Sequence, residues 1–110
     1  MNLYSIENLF QMGETVEQLI PDRGTAIERI ISTGQVSREG FWYKQIRDEW
    51  VALLQGEARL SWKDGRSLEM KPGDWVLIPA GEEHRVEYTS QIPPCIWLAV
   101  HGHLCSASDK

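Results

Sequence analysis

A chain of 110 residues is long enough for one domain with a core of its own, without metal or disulfide support. Its formal net charge of −5 argues against nucleic-acid and anionic-membrane partners, both of which need a basic face. Cys95 and Cys105 stand alone with no CxxC spacing, which reads as reduced thiols and not as a disulfide framework.

The first 24 residues are acidic and mixed, and the first basic residue is Arg23. No basic stretch leads into an apolar segment there, and no run of 18 apolar residues occurs anywhere, so a soluble cytoplasmic protein is expected. Ser5 to Asn8 has cap-like chemistry suited to a turn or short helix reaching Phe10. Thr15 to Ile20 alternates weakly, as an edge strand would. Pro21-Asp22-Arg23-Gly24 is a turn, since proline presets φ, aspartate bonds its own backbone and glycine accepts the left-handed region. Thr25 to Thr33 then predicts a strand with Ala26, Glu28 and Ile30 on one face and Ile27, Arg29 and Ile31 on the other. Gly34 to Gly40 is a loop.

Beyond Gly40, short strands follow one another: Trp50 to Leu54, Ala58 to Trp62, Ser67 to Met70 and Asp74 to Ile78. Lys63-Asp64-Gly65-Arg66 predicts a hairpin with a two-residue type I′ turn. Pro79-Ala80-Gly81 stops the fourth run, and His84 opens an alternating stretch through Tyr88. Gln91 to Pro94 turns the chain again, Ile96 to His101 is the last strand, and Ser106 to Lys110 reads as a frayed tail. Roughly eight short strands, with no helical period longer than about two turns, predict an antiparallel all-β sandwich or barrel.

Two stretches narrow this further. Gly73, Pro79, Gly81 and His84 follow the spacing G-x5-P-x-G-x2-H, and Glu49 and Gly56 are separated by six residues, with Tyr43 and Gln45 upstream. These stretches resemble the paired motifs of the cupin superfamily. The second motif is intact except that Tyr88 replaces a closing asparagine; the first has Tyr43 and Gln45 where cupins carry two histidines. The strings WYKQ, DEWV and LLQGEA also look like a group of small bacterial single-domain cupins. The resemblance covers about residues 25–104 and implies a jelly-roll barrel there, preceded by an arm over 1–24 that packs on or swaps into the barrel, and followed by a tail over 105–110. It also implies a homodimer.

Cupins of this kind hold a divalent metal inside the barrel, at the positions occupied here by Tyr43, Gln45, Glu49 and His84. Glutamate and histidine are good ligands, an amide oxygen is a weak one, and such an N,O set suits iron, manganese, nickel or zinc. Tyr43 reads as a pocket-lining aromatic or a general acid or base before it reads as a ligand. Gln45 either completes the metal set or hydrogen-bonds Glu49 or His84 in a metal-free cluster. His101 joins only if register allows. Pairing Tyr88 with Ile96 across the Gln91–Pro94 turn puts Val100 inside, and a one-residue shift brings His101 beside His84. Trp42, Trp50, Trp75 and Trp97 read as core and barrel-mouth packing. Two function classes follow: a metal-dependent enzyme (dioxygenase, isomerase, lyase or hydrolase) on a small polar substrate, or a non-catalytic module binding a small ligand without metal. A structural barrel with a relic polar cluster stands behind both.

Overall fold

The computed structural model describes residues 1–7 and 13–105. Eight strands occur among them: β1 (Thr15–Gln18), β2 (Ala26–Ser32), β3 (Asp48–Gln55), β4 (Ala58–Trp62), β5 (Ser67–Met70), β6 (Trp75–Ile78), β7 (His84–Thr89) and β8 (Cys95–Gly102). All pairings are antiparallel, in a five-stranded sheet of order β1-β2-β8-β3-β6 and a three-stranded sheet of order β5-β4-β7. The two sheets close face to face as a jelly-roll barrel. The helix or turn expected over Ser5–Phe10 lies partly, and the tail over Ser106–Lys110 wholly, outside the described residues. No helix among the described residues is long and apolar enough to cross a membrane.

Period-two alternation sorts each strand into an inner and an outer face. Val51, Leu53, Trp97, Ala99 and Ile78 of the larger sheet meet Ala58, Leu60, Trp62 and Met70 of the smaller one in a single buried cluster. Arg29, expected on the other face of β2 from Ile30, is buried there beneath the start of the chain. Its guanidinium donates to the carbonyls of Leu3 and Ser5 and pairs with the Glu17 carboxylate at 2.5 Å. Gly56 has φ of 90°, and a Cβ there would lie 2.7 Å from Ser90 Oγ and 2.9 Å from Cys95 Sγ, so the β3–β4 turn packs against the start of β8 only with glycine.

One expected pairing and one expected turn type are corrected. β7 and β8 do not form a hairpin: β7 pairs with β4, and β8 runs between β2 and β3. β8 carries apolar residues on both faces, which suits a central strand. Pro93 and Pro94, which have no N–H to donate, carry the chain from one sheet to the other. The β4–β5 hairpin is the second correction. A type I′ turn needs φ > 0 at both central residues, but no described residue other than glycine has positive φ. Gly65, at φ of 101°, instead closes a three-residue loop, with Gly65 N–H donating to Trp62 O at 3.0 Å and Trp62 N–H to Arg66 O at 2.8 Å. Asp64 keeps negative φ, and its carboxylate accepts from Arg66 N–H at 3.0 Å. Nothing lies within 4 Å of a Cβ placed on Gly65, so Gly65→Val meets backbone strain alone. We expect a loss of about 1–2 kcal/mol, read as a lowered melting temperature. An unchanged melting temperature would contradict the loop geometry.

Candidate functional site

A cavity of about 280 Å³ lies between the two sheets. Its polar lining is Tyr43, Gln45, Glu49, His84 and His101, with Glu14 and Glu28; the rest is aliphatic side chains and Trp97. Five residues singled out in the sequence therefore meet in one hollow. His101 is inside because β8 pairs with β3 in a register that sets it directly opposite Glu49, and residues directly opposite share a face. Its Nε2 lies 3.2 Å from Glu28 Oε1 and 3.8 Å from Glu49 Oε2.

His84 and Glu49 form the centre of the polar lining. His84 is 6% exposed and Glu49 9%. His84 Nδ1 lies 3.1 Å from the carbonyl oxygen of Glu82. A carbonyl can only accept, so Nδ1 carries the proton. Nε2 then faces Glu49 Oε1 at 3.5 Å. Burial alone would lower the pKa of His84, but the hydrogen bond to Glu49, the Glu82 carbonyl and the neighbouring carboxylates outweigh it and raise the pKa above the ordinary 6.5. A neutral His84 would instead aim the Nε2 lone pair at a carboxylate, a contact that calls for a cation between the two.

Tyr43 and His84 are joined by a single antiparallel bridge, with N–H to carbonyl distances of 2.7 and 3.1 Å. Their rings stack with centroids 5.8 Å apart. The segment containing Tyr43 and Gln45 is otherwise irregular, held where Gly81 N–H donates to Gln45 O at 2.9 Å. Burial, then the charges of Glu14 and Glu49, raises the Tyr43 pKa above 10, so the phenol keeps its proton. That favours a donor role over phenolate ligation. Gln45 Oε1 is buried without a hydrogen-bond partner.

Asp48, which the sequence shows only as a second acid beside Glu49, frames this site. It is 2% exposed, and its carboxylate accepts from Ala80 N–H at 2.8 Å and from Leu104 and Cys105 N–H at 2.9 Å each. One side chain thus ties the turn before His84 and the chain after His101 to the start of β3. Nothing local in the sequence pairs these segments. The other acids of the cavity, Glu14 and Glu28, carry no motif signal; Glu28 was expected on the same face as Ile30, and both line the cavity. Among the described residues, no three His, Cys, Asp or Glu side chains already stand in a metal-holding arrangement.

The closed barrel and its interior site define a small cupin. The chain matches the Cupin_2 family, described as a cupin domain, over residues 32–101, and it belongs to that family. It is 39% identical to a candidate mannose-6-phosphate isomerase of Ralstonia eutropha JMP134, whose crystal structure superposes with a TM-score of 0.88 over 94% of this chain and 97% of that one. A cupin superfamily protein of Desulfitobacterium hafniense DCB-2 shares the fold at 18% identity, with a TM-score of 0.72 over 90% and 84% of the two chains. Among curated proteins, a stretch of 47 residues is 36% identical to the RCS-specific HTH-type transcriptional activator RclR of Escherichia coli K12. That stretch is 43% of this chain and spans only 16% of the activator.

Proposed function

We propose that the barrel interior is a divalent-cation site, held by Gln45, Glu49, His84 and His101, at which a small molecule is bound and turned over. The observation that carries this reading is the His84 ring. Its Nδ1 proton is committed to the Glu82 carbonyl, which leaves Nε2 directed at a carboxylate. This is the backing that a ligating imidazole commonly has. The donor set fits: two imidazoles, a carboxylate and the orphaned Gln45 Oε1 all line one cavity. The side chains must move to converge on an ion, since no three stand ready to hold one among the described residues. Iron, manganese, nickel and zinc are all compatible with these ligands.

A bound divalent ion would act there as a Lewis acid on a substrate oxygen. The chain's own part is proton handling and exclusion of water. Tyr43, kept protonated and stacked on His84 beside the site, would donate a proton. The aliphatic wall and Trp97 would strip water from the ligand. An isomerase, as the Ralstonia protein is described, is one reaction these groups could serve. Cys95 and Cys105, both buried and not joined in a disulfide, suit a cytoplasmic setting.

Calorimetric titration with a divalent metal tests the reading. Glu49→Gln removes the one formal negative charge among the four ligands, and we expect affinity to fall at least about tenfold, in keeping with one lost charge-assisted contact. Equal heats for wild type and variant would end the metal assignment. The stretch shared with a transcriptional activator favours a second reading, a non-catalytic ligand-binding module in the same cavity. In that case ligand binds with no metal and no turnover.

We also propose a homodimer. Trp50 and Trp75 pack together at 5.9 Å on the outer face of the larger sheet, beside Leu77, and Trp75 is 61% exposed. Such an apolar patch is costly in water, and twofold association is the commonest way to cover one. Sedimentation at micromolar concentration should show a dimer that Trp75→Glu disrupts. A monomer in the wild type would overturn it.

A further inference from the structure

We infer that the ligand of this cavity is a small amine with an apolar body, and that phosphorylated compounds are excluded. The inference rests on the cavity being the functional site, but not on whether a metal ion occupies it. Its basis is the sign of the lining. Glu14, Glu28 and Glu49 line the cavity, and no lysine or arginine does among the described residues. Strand parity explains this. Leu60, Ile30 and His84 point in, so Arg59, Arg29 and Arg85, each one residue away, point out. Each outward partner seen is consistent: Arg29 bonds Leu3, Ser5 and Glu17, and Arg85 bonds Ser37 and Glu87.

The formal charge is negative both with two protonated imidazoles and with a divalent ion beside two neutral ones. Three carboxylates contribute three formal negative charges. Two protonated imidazoles cancel two of them, and so does a divalent ion with neutral imidazoles; one negative charge remains either way. A phosphate ester therefore meets net repulsion and finds no guanidinium or ammonium to bind it. An ammonium group finds Glu28 and Glu14 in addition to any metal ligand. Beyond Tyr43, Gln45, His84 and His101 the remaining lining is aliphatic, with the Trp97 ring, so most of the ligand's body gains by being apolar. The mannose-6-phosphate suggested by the Ralstonia protein's description is the wrong charge for this cavity.

The test uses three probes with one carbon chain: n-butylamine, n-butanol and n-butyl phosphate. Each is titrated into chelator-treated full-length protein and followed by the NMR shift of the Trp97 indole. We expect butylamine to bind at least about tenfold tighter than butanol, the worth of one charge-assisted hydrogen bond. Butyl phosphate should show no saturable binding. Glu28→Gln should remove most of the amine's advantage, while Glu69→Gln, exposed on β5, should leave it intact. Butyl phosphate binding as tightly as butylamine, or no saturable binding of butylamine, would overturn the inference. Metal uptake is measured on separate, unchelated samples. Protein that takes no metal yet selects the amine contradicts the metal reading and upholds this one; metal uptake without amine selectivity does the reverse.

Discussion

Asp48→Ala is expected to be the most destabilising single substitution proposed for this chain, at about 3–5 kcal/mol. The Asp48 carboxylate accepts three backbone N–H bonds, from Ala80, Leu104 and Cys105. Hydrogen bonds to a charged group contribute about 1.5–3 kcal/mol each, and buried donors left without a partner add their desolvation cost. Some of that loss is recovered where the freed N–H groups reach water, which keeps the sum below the simple total. The consequence extends beyond stability. The turn through Ala80 precedes His84, and its Gly81 N–H anchors the Gln45 carbonyl, so loosening it should disturb two proposed ligands together. Denaturant unfolding gives the stability change, and amide exchange at Ala80, Leu104 and Cys105 localises it. A loss below about 1 kcal/mol would show that these three bonds are not carried by Asp48 in solution.

His84→Ala should abolish metal uptake while the barrel stays folded, because the hydrophobic cluster between the sheets does not include the imidazole. The cost to the apo protein is about 1–3 kcal/mol for the lost Glu82 and Glu49 contacts. The same residue sets two pH dependences of opposite use. Its folded pKa is raised above 6.5, so in the apo protein the charged pair with Glu49 stabilises fully below the unfolded value and is lost as pH rises through the folded one. A metal needs the neutral ring, so affinity should weaken as pH falls through that same raised pKa, beginning above 6.5 rather than at it. The stability slope should vanish in His84→Ala, and the affinity slope is read in the wild type. Metal affinity independent of pH between about 5 and 8 would contradict ligation by His84.

How far the sequence revealed this site depends on the range of the interactions involved. Each of the eight strands was legible, since alternation and turn residues act over a few positions. Glu49 and His84 were legible through spacing, and the cavity does bring them together. His101 was not, because its direction depends on which strand β8 pairs with, and a hairpin with β7 was a reasonable local choice. The actual partner, β3, lies about 50 residues away in sequence, where no short-range pattern reaches. The same applies to Asp48, whose three partners come from two distant segments. Asp-Gly at 64–65 correctly marked a hairpin, but the competing side-chain bond from Asp64 to Arg66 N–H held the aspartate at negative φ and changed the loop type.

The central claim is that Gln45, Glu49, His84 and His101 hold a divalent cation inside the barrel. Elemental analysis of protein purified without a chelator and without a polyhistidine tag tests it most directly. The account predicts close to one iron, manganese, nickel or zinc per chain in the wild type and none in His84→Ala. Wild-type protein with no metal, and no uptake when each of the four is offered at neutral pH, would contradict it.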